Sequence, residues 1–388
     1  MRLLPFDYAT RNLGRSPGRL LLAVSGSTLV VLLVIASAAF VRGMGASLTL
    51  PGGNTNVIFL GAGSEESVER SEISTRAAEV VSTLPGVRTR LGERYVSPEV
   101  HVALAIRTAP GQKEGRLTPV RGVRPTAFLV HPQVHMVAGR PPIAGAEELM
   151  VGGLVAGQLG VPEERLAIGK SLEIDGRPWK IVGHFRAPRT VMDSEIWIPL
   201  TDLQVVGQRD KLSCVIVTLD PVLGDFTDAE VLAAQRLDLE LSAMRESDYY
   251  GALSRFYEPI RAMVLVTAAL IAIGGILGGL NTMVAAFAAR VREVGTLQVL
   301  GYPRRAIILS FVQESVIVAA SGALVAGVLG KWLLDGIAVR FSMGAFGLVV
   351  DAPVLAVGIT AGVLLGLVGA LPPTLRCLKM PVGQALRG

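Results

Sequence analysis

Apolar residues gather into four long runs, and one long polar stretch separates the first run from the second. Leu20 to Val41 carries no charge and has about the 20 residues a helix needs to cross a bilayer. With the three later runs, the pattern predicts transmembrane helices at 20–41, 262–287, 306–330 and 352–371. Ala36-Ser37-Ala38 resembles a signal-peptidase site. The run is longer than a signal peptide's apolar core and three more follow, so a retained span is expected.

The polar stretch, 42–258, holds shorter patterns. Asn56 to Leu60 and Cys214 to Leu219 read as strands, and Ser74 to Leu84 as a helix closed by a turn at Pro85-Gly86. Thr227-Asp228-Ala229-Glu230 has the form of a capping box and predicts a helix to about Leu241. Between them, Leu172 to Gly183 alternates on either side of Asp175-Gly176, a strong hairpin signal.

The second and third spans are joined by a polar segment, 288–305. Val291, Val294 and Leu297 recur at steps of three, which suits a short amphipathic helix. Gly301 followed by Pro303 stops that helix and starts the next. Gly295 costs about 1 kcal/mol relative to alanine inside a helix, and a helix that keeps such a glycine often lets another backbone come close. An ordinary loop anchored by arginines accounts for the same pattern. Gly274, Gly275, Gly278 and Gly279 form two overlapping GxxxG pairs in the second run, and Gly358, Gly362 and Gly366 a stripe in the fourth. In lipid such small residues let helices approach closely, so both are expected packing or dimer faces.

Charge orients these elements. Residues 43–258 hold 22 Lys/Arg and 27 Asp/Glu, whereas the rest of the chain holds 15 and 5. The basic excess flanks the membrane, and no basic stripe is interleaved with aromatics, which argues against nucleic acid. The lead-in 1–19, the 288–305 loop and the tail 372–388 are basic, while the 331–351 connection has two residues of each sign. The positive-inside rule therefore places both termini and the loop in the cytoplasm, and the acidic domain outside. The expected fold is an α-helical membrane protein with four transmembrane helices plus an α+β extracytoplasmic domain. That domain reads as two subdomains, a β-rich one at about 106–204 inserted into one built from both ends.

Little in the chain suggests catalysis. Ile168-Gly169-Lys170-Ser171 looks like the end of a phosphate loop, but Glu164 stands where the first glycine is needed and a hairpin follows where a helix is required. His131 and His135 have a helical metal spacing, yet they flank Pro132 without a third ligand and read as loop histidines. Cys214 and Cys377 fall in no metal spacing, and Cys214 is expected to be open to reagents outside the membrane. Glu314 is the ionisable residue inside a span. An ion pair with Arg304 or Arg305 near the interface is the first reading and a transport role the second.

The segment at 290–307 resembles the loop between the second and third spans of FtsX/MacB-type ABC transporter permeases. Arg290, Arg292, Glu293, Gly295, Leu300, Gly301, Arg304, Arg305 and Ile307 fit the pattern R-x-R-E-[IV]-G-x-x-x-x-[LM]-G-[AY]-x-[RK]-[RK]-x-[IL]. Gly139, Arg140, Glu148, Gly152, Ala156, Gly169, Leu172, Ile174, Gly176, Trp179, Ile181, Val182 and Gly183 fit the family's MacB-like periplasmic core, with Leu149-Met150-Val151 departing slightly. The 375–387 ending also resembles the family's, apart from Cys377-Leu378.

The resemblance implies that 288–305 is the coupling loop to an ATPase, with Arg290, Arg292, Glu293, Val294, Gly295, Leu297, Leu300, Gly301, Arg304 and Arg305 as its residues. It implies a non-enzymatic permease subunit of a type VII ABC transporter in a bacterial inner membrane. Two ATPase subunits would carry ATP and Mg, this chain binding no cofactor or metal; a second permease copy or a homologous permease, a periplasmic adaptor protein of the kind often attached outside, and the lipid bilayer are the other partners. Export or extraction at the outer face is the expected work. Two alternatives are an FtsX-like regulator of cell-wall hydrolases and a lipoprotein-releasing permease. The spans offer few polar residues, so the external domain is expected to act as a lever, without passing substrate through the membrane.

Overall fold

The computed structural model describes residues 17–48, 55–109, 112, 114–288, 291–341 and 344–378. Most of the lead-in, Arg290 and the end of the tail lie outside the described residues. The helices are α1 (Pro17–Ser47), α2 (Arg76–Ser82), α3 (Ala127–Val130), α4 (Val155–Leu159), α5 (Leu200–Val206), α6 (Phe226–Gln235), α7 (Glu246–Phe256), α8 (Glu258–Ala288), α9 (Val291–Val299), α10 (Arg304–Leu333) and α11 (Ala352–Leu378). The strands are β1 (Asn56–Gly61), β2 (Thr89–Arg90), β3 (Glu93–Arg94), β4 (Val96–Arg107), β5 (Arg116–Val123), β6 (His135–Gly139), β7 (Glu148–Gly152), β8 (Ser171–Ile174), β9 (Arg177–Arg186), β10 (Ile196–Pro199), β11 (Cys214–Thr218), β12 (Leu241–Arg245), β13 (Ala338–Phe341) and β14 (Gly344–Gly347). The chain divides into two compact units, one made of residues 43–258 with 337–347 and the other of the rest.

In the apolar unit, α1, α8, α10 and α11 are each long and apolar enough to cross a membrane. α11 lies along α10, and α1 touches both. At the end of this bundle Arg42 pairs with Asp351 at 2.9 Å, and Asp335 accepts from Lys331 and from the Val350 N–H.

In the polar unit, the sheet runs in the order β12-β1-β11-β4-β5-β10-β7-β9-β6, with β8 pairing both β4 and β9. The extra pairings of β8 close β4, β5, β10, β7, β9 and β8 into a six-stranded ring. Closure satisfies edges that would otherwise invite pairing with other chains. The twelve residues of β4 serve both parts: Val96–Glu99 pair with β11, and the remainder with β5 and β8. The expected subdomain boundary near 106 thus falls inside a shared strand. β1 buries both faces. Val57 and Phe59 join the core beneath α2 and α6, whereas Ile58 and Leu60 pack with Tyr249 and Tyr250 of α7.

The β8–β9 hairpin forms as its sequence predicts. Ile174 pairs with Arg177 around Asp175 (φ +50°) and Gly176 (φ +75°), the positive-φ pair that a two-residue turn of this hand requires. Two local expectations are corrected, and a third segment gains a structure the sequence reading left undescribed. The cap of α6 is Asp225, whose side chain accepts from the Thr227 N–H, so the helix begins at Phe226. That helix ends at Gln235, and 241–245 is strand β12, because an open edge of β1 was available to pair with it. The 331–351 connection contains the hairpin β13–β14, which belongs to the polar unit, where Arg340 Nε donates to the Gly157 carbonyl at 3.2 Å.

Candidate functional site

The segment between the second and third spans forms α9, and its sequence explains its fit against the foot of α10. Val294 is buried in a small cluster with Ile307 and Phe311, joined by Leu297, Tyr302 and Ile308. The end of α9 is a Schellman closure: Tyr302 N–H bonds to Leu297 O and Gly301 N–H to Gln298 O, both at 3.1 Å, with Gly301 at φ +86°. Leu297 and Tyr302 supply the apolar contact that accompanies this motif. Pro303 then caps α10. Gly295 is buried and Glu293 half-buried, while Arg292, Arg304 and Arg305 are exposed. Val299 and Leu300 stand 65% and 62% exposed, an outward apolar pair on a helix whose other side is fastened down.

The two glycine stripes part company. A Cβ on Gly358 would meet Ile35 at 2.6 Å, one on Gly362 would meet Ala323 at 2.5 Å, and one on Gly366 would meet the Val316 backbone at 2.8 Å. The α11 stripe is therefore consumed within the chain. In α8, Gly275 faces Val30, but Gly274, Gly278 and Gly279 have open space beside them. Glu314 is half-buried on α10, within the third span.

Sequence reading missed a cluster of buried charges in the polar unit. Register explains it. Across the sheet His101 lies opposite Arg121, Arg121 opposite Trp197, and Glu99 opposite Cys214. Arg121, 2% exposed, donates through Nε and Nη2 to the two carboxylate oxygens of Glu195 and through Nη1 to Glu99, all at 2.7–2.8 Å. Glu99 also contacts Ser97 (2.7 Å), His101 (3.0 Å) and His131 (2.8 Å), and Trp197 Nε1 donates to Glu195 at 2.8 Å. His131 is thus a loop histidine, as expected, but a fully buried one held against Glu99 of β4, while His135 is exposed. On its other side His131 Nδ1 lies 4.0 Å from Glu246, which Asn56 holds at 2.8 Å. A charged residue within an alternating strand run, at Glu99 and Arg121, was the available signal.

Burial alone would raise the Glu99 carboxyl, but the charges of His131 and Arg121 and the two imidazole hydrogen bonds hold it well below the usual range. Burial likewise opposes charge on His131, yet Glu99 and Glu246 outweigh it and lift its pKa above the ordinary value. His101 is pushed the other way, by burial and by Arg121. Glu246 is raised by burial. One ligand atom each from Glu99, His101 and Cys214 lies within 4.8 Å of the others. With Arg121 on Glu99, and burial raising the Cys214 thiol well above its usual pKa, this group is a hydrogen-bonded network and a poor fit to a cation. Cys214 is 0% exposed, so it is not open to external reagents as its place in a polar stretch suggested.

Four apolar helices of spanning length, an amphipathic helix fastened to the foot of one, and an α+β domain between the first two define a helical membrane protein with a large polar domain. The chain belongs to the MacB/FtsX-like ABC transporter permeases. Residues 20–230, more than half of it, match the MacB-like periplasmic core domain, and 265–382 match the FtsX-like permease C-terminal region. An uncharacterized ABC transporter permease, YvrN of Bacillus subtilis, is 23% identical over 240 residues, 57% of this chain and 58% of that protein. The macrolide export ATP-binding/permease protein MacB of Nitrobacter winogradskyi is 24% identical over 263 residues, 63% of this chain and 39% of that protein. The chain therefore spans well under two thirds of either relative. The crystal structure of the periplasmic region of MacB from Actinobacillus actinomycetemcomitans aligns with a TM-score of 0.40 at 10% identity, covering 52% of this chain and 94% of that one.

Proposed function

We propose that this chain is the permease subunit of a type VII, MacB-like ABC transporter in a bacterial inner membrane. Both termini and α9 face the cytoplasm, in keeping with the basic segments, and the acidic domain faces outward. A separate ATPase subunit, carrying ATP and Mg, docks on α9. Two permease copies pair, with the open Gly274, Gly278 and Gly279 face of α8 as one helix surface. A periplasmic adaptor completes the assembly. ATP-driven closure moves α9, and with it α10, and the external domain with its inserted β-ring acts as a lever for export or extraction at the outer face.

The observation that carries this reading is the division of labour on α9. Its inner side is locked to α10 through Val294, Ile307 and Phe311, so a push on it moves the span. Its outer residues Val299 and Leu300, beside Arg304 and Arg305, remain available to a partner. Leu300→Asp changes an exposed side chain and leaves the fold intact. It is expected to weaken recovery of the ATPase with the tagged permease by about tenfold, the loss typical of one interface anchor. Undiminished recovery, with full stimulation of ATP hydrolysis, would show that α9 is not the docking element.

A further inference from the structure

A cavity of about 750 Å³ opens within the polar unit. That volume falls in the range of small-molecule sites, which are mostly apolar with a few placed polar groups. One wall is apolar and aromatic: Tyr250 and Phe346 are buried in it, and Phe256 is 74% exposed at its mouth. On the floor lie His101 and the Arg121–Glu195 pair. That pair is already satisfied, both Glu195 oxygens being held by Arg121. His101 is different. Its Nε2 is engaged with Glu99, leaving Nδ1 as the ring nitrogen open to a ligand. When Nε2 donates to Glu99, Nδ1 is an acceptor.

The rim adds carboxylates. Glu65 and Glu69 line the same cavity and are half-buried. Burial and the nearby charge of Glu195 raise the Glu69 carboxyl above its ordinary pKa, against the opposing charge of Arg209. A cationic donor between Glu69 and His101 would meet a half-buried carboxylate and an open acceptor, with an aromatic wall for its carbon body. Cations also bind favourably over aromatic faces.

We propose that this cavity binds a protonated organic amine carried on an apolar or aromatic body. The ammonium lies between Glu69 and the His101 Nδ1, and the body lies along Tyr250, Phe346 and Phe256. No ATP or ATPase is needed for this binding, so the proposal stands or falls independently of the coupling role given to α9.

The test uses the full chain in lipid nanodiscs without nucleotide, titrated with dansylcadaverine, a fluorescent primary amine, and with its neutral N-acetylated form. The amine is expected to bind about tenfold more tightly than the acetylated form, the scale of a charge-assisted contact. Glu69→Gln should remove most of that preference. Phe256→Ala, at a 74% exposed position, should weaken both probes. Equal affinity of the two probes would overturn the proposal. So would an amine affinity unchanged in both variants, since partition into the lipid is blind to either substitution.

Discussion

Arg121 shows what one residue does to a domain interior. Its guanidinium holds two carboxylates that would otherwise repel each other in a dry setting, and its planar fork meets Glu195 with two bonds. Removing it leaves Glu99 and Glu195 buried without their common partner. Arg121→Met is therefore expected to destabilise the polar domain by about 3–5 kcal/mol, read as a lower melting temperature of that domain by calorimetry. A melting curve close to the parent's would mean that water replaces the guanidinium. His131 adds a pH dependence of known sign. Its pKa is raised in the folded state, so its contribution is complete below its ordinary value of 6.5 and fades as pH rises through the raised value. The stability difference between the parent and His131→Gln should accordingly shrink above pH 6.5. A difference that grows with alkalinity would contradict the protonated pairing with Glu99.

At the scale of elements, the same sequence signal has two outcomes. Both glycine stripes answer to close helix approach, but only the α11 stripe is filled by neighbours in its own chain. Gly362→Leu must displace Ala323 or part α11 from α10, an overpacking cost of about 1–3 kcal/mol. Gly278→Leu meets open space and should leave the melting temperature of the single chain unchanged while reducing dimer recovery in crosslinking. Equal loss of stability in both variants would refute this division. The strands teach a similar lesson. The β8–β9 hairpin is local, and its Asp-Gly turn announces it. β12 was hidden because Leu241–Arg245 becomes a strand by pairing with β1, some 180 residues away in the chain.

For the whole molecule, the proposed orientation rests on the segregation of charge between the two parts of the chain. Cys214 cannot report this, being buried, so exposed positions must. Val222 is 86% exposed in the polar domain and Leu300 62% exposed beyond α9. In a chain cleared of its own cysteines, an impermeant maleimide should label Val222→Cys on intact cells and Leu300→Cys only after permeabilisation. Labelling of both positions from one side would invert the proposed orientation of at least one unit.

The sequence by itself determined the spans, the amphipathic α9, its glycine closure and the Asp-Gly hairpin. Each of these rests on hydrophobic period or on backbone preferences acting within a few residues. Strand register and helix packing decided the rest. They brought Glu99, Arg121, His131, Glu195 and Glu246 together from positions spread over almost 150 residues. They closed six strands into a ring by way of β8, and separated a filled glycine stripe from an open one. Such groupings depend on which residues stand opposite one another across a sheet or between helices. That pairing is a property of the assembled fold, and no local window of the chain contains it.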